Sequence, residues 1–262
     1  MPRCYPIDIQ LFTQQKQHKT STAAAIAQAL TYKGKSALLI DLDAQRSASL
    51  IYGAEEDGTG GTYSLIMGTA QAEDLIQETP AGSIIPGSKD LEGLDVELSA
   101  KPGRDFFLKG AIEPIKERFD CIICDAPPGK GTALVQALTA ADSVVIPLLC
   151  DPQALQGLHH VTKTIEEVKK YCNPGLTIEG ILLTRYSGRA VLSREVLELM
   201  QQQAAALNTK LFKVQIREAI SVKEAQISQK SLFEYAPKAK VTEDYSAFLD
   251  EIIDAGGAED GN

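Results

Sequence analysis

Leu38-Leu39-Ile40-Asp41-Leu42-Asp43-Ala44-Gln45 opens on a continuous apolar run and then carries two acids, Asp41 and Asp43. Such a run does not alternate, so it reads as a strand covered by helices on both faces, and a strand of that kind belongs to a parallel sheet. Working outward, similar segments recur at Tyr5 to Phe12, Ser36 to Asp41, Cys121 to Cys124, Ser143 to Leu148, Leu176 to Thr184 and Leu211 to Val214. Helical stretches separate them: Thr20 to Tyr32, Arg104 to Arg118, Thr132 to Ala140, Gln153 to Tyr171 and Arg189 to Ala206. The repeated β-α order predicts an α/β fold, a doubly wound and mostly parallel sheet with helices on both faces.

The 262 residues carry 26 Lys plus Arg against 35 Asp plus Glu, a formal net charge of −9. At 44% hydrophobic and 23% charged the chain is of ordinary globular composition, which excludes disorder throughout. An acidic balance argues against a general nucleic-acid coat, while leaving room for a local basic face. Apolar runs fall short of a membrane span, and Met1 to Gln10 lacks the pattern of a signal peptide, so a cytoplasmic protein is expected. The five cysteines, Cys4, Cys121, Cys124, Cys150 and Cys172, are read as reduced thiols. Cys121 and Cys124 form a C-x-x-C, but inside a buried strand residues three apart point to opposite faces, so a packed core is expected there and not a metal site.

Two regions break the rhythm. Gly53 to Gly61 reads as a surface loop before a short element at Tyr63 to Met67. Ser83 to Gly103, interrupted by Pro86, Gly87, Gly93, Pro102 and Gly103, is expected to hold one or two short strands. Thr242 to Ala255 reads as a last amphipathic helix. One domain over 1–255 and a flexible tail over 256–262 are expected.

Ligands of an open α/β sheet bind at the carboxyl ends of its strands. Three segments stand there: Thr13-Gln14-Gln15-Lys16-Gln17-His18-Lys19-Thr20-Ser21-Thr22, Asp41-Leu42-Asp43-Ala44-Gln45, and Asp125-Ala126-Pro127-Pro128-Gly129. Strand, loop, Lys-Thr, helix, then acids on neighbouring strands is the layout of a P-loop nucleotide site.

On these residues the sequence resembles the ParA and Soj partition ATPases, which belong with MinD to the deviant Walker A group. The resemblance spans nearly the whole chain. It includes Lys19-Thr20-Ser21-Thr22-Ala23-Ala24, Gly34-Lys35, Leu38 to Gln45, Asp125-Ala126-Pro127-Pro128, Asn173-Pro174 ahead of Gly180 to Thr184, and Phe233-Glu234-Tyr235-Ala236-Pro237-Lys238. One departure stands out. Members carry a loop K-G-G-x-G-K-[ST], whereas no glycine occurs here from Met1 to Tyr32. Two alignments stay open. Without a gap, His18, Lys16 and Gln15 replace the glycines and Gln14 the signature lysine; aligned on Lys16 as that lysine, the loop is two residues short. Non-glycine residues at positive φ cost about 1 to 2 kcal/mol each, so either alignment alters the phosphate cradle.

The resemblance implies roles residue by residue. Lys19, Thr20 and Ser21 would bind the nucleotide, and Thr20, with Asp125 acting through a water, would hold Mg²⁺. Asp43 would orient the attacking water and Lys16 would reach the phosphates of a partner subunit. ATP and Mg²⁺ are thus the implied cofactors. Nonspecific DNA, a ParB-like or other cargo adaptor and a nucleotide-dependent homodimer are the implied partners, with nucleoid association. Arg189, Arg217 and Lys223 stand where similar proteins carry cations for DNA, although Glu195, Glu198, Glu218 and Glu224 are interleaved with the basic residues of this segment. The alternative is a pseudo-ATPase of the same fold, a DNA- or protein-binding module without turnover. For Asp41, Asp43 and Asp125 the bland reading is solvated turn starters; the resemblance favours function for Asp43 and Asp125.

Overall fold

The computed structural model describes residues 9–11, 16–127, 129, 131–149, 154–186 and 192–257. Its strands are β1 (Ile9–Leu11), β2 (Ala37–Asp41), β3 (Gln77–Thr79), β4 (Gly82–Ile85), β5 (Cys121–Asp125), β6 (Ser143–Leu149), β7 (Thr177–Tyr186) and β8 (Ile216–Arg217). They form one sheet in the order β3-β4-β2-β5-β1-β6-β7-β8. Every pairing is parallel except the β3–β4 hairpin at one edge. The chain lays β2, β4 and β5 on one side of β1, then crosses to β6 on the other. That reversal places the switch point, and the ligand crevice it creates, at the carboxyl end of β1.

Alternate residues of each central strand feed two separate cores. Leu38, Ile40, Ile122 and Cys124 join one, with Leu65, Leu94, Leu108, Leu134 and Ile165 from the helices of that face. Leu39, Cys121 and Ile123 join the other, with Ala23, Ala27, Leu30, Phe212 and Phe248. The two cysteines of the C-x-x-C are therefore buried against opposite layers, as the pleat requires. Alanines at 23, 24, 25, 27 and 29, all buried, let the helix Lys16–Tyr32 lie close on the sheet.

Several boundaries differ from the sequence reading, each for a local reason. The first helix begins at Lys16 and not at Thr20. With no glycine before Lys19, nothing in Lys16-Gln17-His18 opposes one more helical turn. Arg104 to Arg118 is not one helix but a 3₁₀ turn Arg104–Phe106, a helix Phe107–Ile112 and a second 3₁₀ segment Glu113–Arg118. Pro114, which lacks an N–H, stands at the start of that last piece. Leu211 to Val214 is not a strand. Only Leu211 bridges to the sheet, against Ile181, because the Lys213 and Val214 N–H groups donate to Glu251 at 2.9 and 3.0 Å. The edge strand is β8 instead.

The element at Tyr63 to Met67 is a helix, Gly61–Met67. Within Ser83 to Gly103, β4 is followed by helical turns, and its hairpin partner β3 precedes the segment. The last helix, Lys240–Gly257, runs two residues beyond Ala255, and 258–262 lie outside the described residues. Among the described residues no helix is long and apolar enough to cross a membrane.

Candidate functional site

β2 and β5 are adjacent and in register, so Asp41 pairs with Asp125 at their carboxyl ends. Both are fully buried, and Asp43, two residues on, is 4% exposed. Neither Asp41 nor Asp125 is a solvated turn starter. Lys19, in the helix after β1, is 2% exposed and brings Nζ to 3.3 Å from Asp125 Oδ1. Thr20 is buried beside it. Among the described residues, the Lys19 ammonium thus stands at a cluster of three acids gathered at the ends of two neighbouring strands.

Such a cluster is electrostatically unfinished. Burial, and then the charge of Asp125, push the Asp41 carboxyl up to about 7. Burial also raises Asp125, against the opposing pull of Lys19. Among the described residues, Lys19 Nζ and the Asp125 carboxylate have their ion pair and the neighbouring Thr20 hydroxyl, but no fuller set of hydrogen bonds for atoms so deeply buried. Polar atoms incompletely met in this way are costly unless a ligand completes them. A hydroxyl and carboxylate oxygens are hard donors of the type Mg²⁺ takes, usually with several waters retained, so the residues present fit such an ion.

Asp41 itself is committed elsewhere. Its Oδ2 accepts from Ser49 N at 2.8 Å and Ser49 Oγ at 2.7 Å, and its Oδ1 accepts from Asp43 N at 3.1 Å. Ser49 Oγ in turn accepts from Gly87 N at 2.9 Å. Arg46, left-handed at φ 56°, donates Nε to Gly87 O at 2.9 Å and N to Asp43 O at 2.8 Å. Asp43 Oδ1 accepts from Gln45 N at 3.0 Å. The loop carrying Asp43 is therefore tied to the end of β2, to the helix Ser47–Tyr52 and to the segment after β4.

A cavity of about 620 Å³ opens beside this cluster, with Thr20, Ser21 and Thr22 on one wall and Ile216, Val222 and Gln226 on another. Its volume lies within the range of small-molecule sites. Gln226 Nε2 donates to Ser21 Oγ at 2.8 Å, joining the helix Ile220–Ile227 to the helix that holds Lys19. Cations line the rim already paired: Arg217 Nε and Nη2 donate to Asp244 at 2.6 and 2.8 Å, and Arg185 Nη2 lies 2.6 Å from Glu218.

The structure thus gathers Lys19, Thr20, Ser21, Asp43 and Asp125 at one end of the sheet. Lys16 opens the first helix, but its side chain lies outside the described residues, as do Arg189 and Thr13 to Gln15. Lys223 is exposed on the cavity rim. His159 and His160 are exposed on the helix Ala154–Tyr171, away from these elements. Sequence reading missed the buried linkage of Asp41, Ser49 and Gly87, and the wall contributed by Gln226. The only hint was the acid at Asp41, which strand-end preference explained too easily.

Comparison with known proteins agrees with this architecture. Residues 13–178 match the family model described as AAA domain. The chromosome partitioning protein ParA of Myxococcus xanthus is 35% identical over 243 residues, covering 90% of this chain and 83% of that protein. The sporulation initiation inhibitor protein Soj of Bacillus subtilis is 34% identical over 241 residues, covering 91% and 94%. Among solved structures, cobyrinic acid a,c-diamide synthase from Mycobacterium smegmatis with bound ADP and magnesium superposes with a TM-score of 0.78 at 29% identity, covering 92% and 91%. With relatives this similar over nearly its whole length, and a P-loop-type sheet with its acids at the strand ends, the chain belongs to the ParA/Soj family.

Proposed function

We propose that this protein is a partition ATPase of the ParA/Soj type, acting on plasmid, chromosome or mobile-element DNA. The observation that carries the reading is the buried Lys19–Asp125 pair, with its incompletely met polar atoms, beside a cavity walled by Thr20 to Thr22. In this reading Lys19 contacts the β- and γ-phosphates, Ser21 lines the nucleotide, and Asp43 orients the attacking water. Water adds to the γ-phosphorus while the bond to the β–γ bridging oxygen breaks, releasing ADP and phosphate. Mg²⁺, held by Thr20 and through a water by Asp125, supplies charge neutralisation at the phosphates when bound.

The wider cycle is proposed on the same footing: a single domain over 1–255, nucleotide-dependent homodimerisation with Lys16 reaching the partner subunit's phosphates, nonspecific DNA binding through Arg189, Arg217 and Lys223, and a ParB-like or other adaptor. Chromosome partitioning is what the M. xanthus relative is named for. Cytoplasmic, nucleoid-associated placement follows from that role.

A second reading, a pseudo-ATPase, is favoured by one observation. The first helix starts at Lys16, so Lys16-Gln17-His18 are wound into helix where a phosphate-binding loop would curl. Titration calorimetry of ATP and ADP with Mg²⁺, on this chain and on Lys19→Ala, separates the two. Micromolar binding abolished by the substitution supports the ATPase; no binding at millimolar nucleotide leaves the pseudo-ATPase.

A further inference from the structure

We propose that Asp41 is a positioning residue that, through Ser49 and Gly87, sets the place of Asp43. This deepens the ATPase reading and rests on it for its catalytic consequence. Asp41 is committed within the protein. It is fully buried, and both of its oxygens already receive donors, Asp43 N on one and Ser49 N and Oγ on the other. What those donors share is the loop from Leu42 to Ser49, whose far end is thereby folded back onto the strand it left.

The Ser49 hydroxyl has a settled orientation. It gives its proton to Asp41 and accepts from Gly87 N at 2.9 Å, so it passes the constraint on to the segment after β4. That segment is fixed in turn from its other side, since Pro86 O accepts from Thr62 N at 2.8 Å and Thr62 Oγ1 at 3.1 Å. Gly87 has no room for a side chain: an added Cβ would lie 2.8 Å from Asp43 O and 3.1 Å from Asp41 Cγ. The close approach lets Gly87 O reach Arg46 Nε, which helps hold that residue left-handed and closes the turn at Asp43. Leu42 N, bonded to Asp125 O at 3.0 Å, anchors the near end. These ties hold Asp43 from both sides and run through Asp41, Arg46 and Gly87, with Leu42 bonded to the backbone of Asp125.

That arrangement yields a specific expectation. Loosening the Asp41–Ser49 linkage should move Asp43 while leaving the Lys19 side intact, so turnover falls and nucleotide affinity stays. The experiment uses the full chain with Asp41→Asn and Ser49→Ala. Asp41→Asn turns an amide N–H toward N–H donors; Ser49→Ala deletes one oxygen and is the milder change. Two quantities are read: single-turnover ATP hydrolysis with nucleotide Kd, and hydrogen exchange of peptides spanning 42–50 against 143–149.

The expected result is hydrolysis slower by at least about tenfold with Kd within about threefold of the parent. Faster exchange should appear in 42–50 and not in 143–149. Unchanged exchange in 42–50, or weakened nucleotide binding with hydrolysis unchanged, overturns the proposal. So does a uniform rise in exchange over the whole chain in both variants, which would mark Asp41 as a general structural residue. If the parent hydrolyses no ATP, the ATPase reading falls by itself, and the exchange comparison still decides whether Asp41 sets the Asp43 loop.

Discussion

Asp41 and Asp125 stand opposite each other at the ends of β2 and β5, both fully buried, with Lys19 Nζ 3.3 Å from Asp125. Two like charges in register are unfavourable in a core. The fold tolerates the arrangement because Asp41 takes its donors from Ser49 and Asp43 N–H, leaving Lys19 to Asp125.

Stability should therefore depend on pH in an unusual direction. Asp41 is raised from 3.8 to about 7, so the folded state favours its protonated form. The stabilisation it contributes is complete below its ordinary value and lost as pH rises through about 7. Asp57, Asp95 and Asp120 are held low by hydrogen bonds, from Thr59, Thr132 and Ser36 respectively, and their stabilisation disappears only at acid pH. In chelator-treated buffer the urea midpoint should fall between about pH 5 and pH 8, and Asp41→Asn should flatten that slope by up to about 1.4 kcal/mol per pH unit. A midpoint that rises over the same range would contradict this.

Gly87→Ala tests the tight packing around the Asp43 loop. Its Cβ would meet backbone and carboxylate atoms that lack the freedom of a flexible side-chain end. A loss of about 1 to 3 kcal/mol is expected by chemical denaturation. Gly110→Ala is the matched control: it is exposed in the helix Phe107–Ile112 with nothing within 4 Å of an added Cβ. There a gain of about 0.5 to 1 kcal/mol is expected from helix propensity.

Much of this architecture was legible because buried parallel strands write themselves as apolar runs. Ile40 followed by Asp41 marked the end of β2 to the residue, and Cys124 followed by Asp125 marked that of β5 to within one. Thr132–Ala140 matched its helix at both ends. What escaped was set by distant partners. Phe212 packs edge-on against Phe248 with ring centroids 4.8 Å apart, and Glu251 takes the neighbouring N–H groups; neither is visible in the local pattern that suggested a strand. At the site, residue types placed Lys19, Asp43 and Asp125 together. The tie from Asp41 to Ser49 to Gly87 spans 46 positions and has no periodic signature.

For DNA, Arg217 and Lys223 should behave differently. Arg217 is clasped by Asp244 through its backbone N, Nε and Nη2, and the bond to Asp244 holds its guanidinium more firmly charged. Lys223 is exposed. If DNA lies across this face, Lys223→Ala should weaken binding and reduce the slope of log K against log salt by about 0.9. Arg217→Ala should reduce that slope by less, since Asp244 shares its charge, and should also loosen the helix Lys240–Gly257, readable as faster hydrogen exchange there. Equal effects of both substitutions on the salt slope would show that Arg217 leaves Asp244 to meet phosphate.

The first turn of the first helix offers the sharpest comparison. Wound from Lys16 onward, it takes Thr20 N into the helical ladder and places its first-turn N–H groups further back, at residues 16 to 19. Replacing Gln15-Lys16-Gln17-His18 by Gly-Gly-Val-Gly (Gln15→Gly, Lys16→Gly, Gln17→Val, His18→Gly) should unwind that turn, because each glycine costs about 1 kcal/mol in a helix relative to alanine. The helix would then start near Lys19, turning the N–H groups of Lys19, Thr20 and Ser21 toward the cavity that Thr20 and Ser21 line. Without nucleotide the variant should be less stable by about 1 to 2 kcal/mol. With ATP and Mg²⁺ it should recover that loss and bind at least about tenfold more tightly than the parent, which calorimetry and thermal shift would each register. Equal affinity in variant and parent would place the limit on nucleotide binding elsewhere, with the Lys19–Asp125 pair the next group to alter.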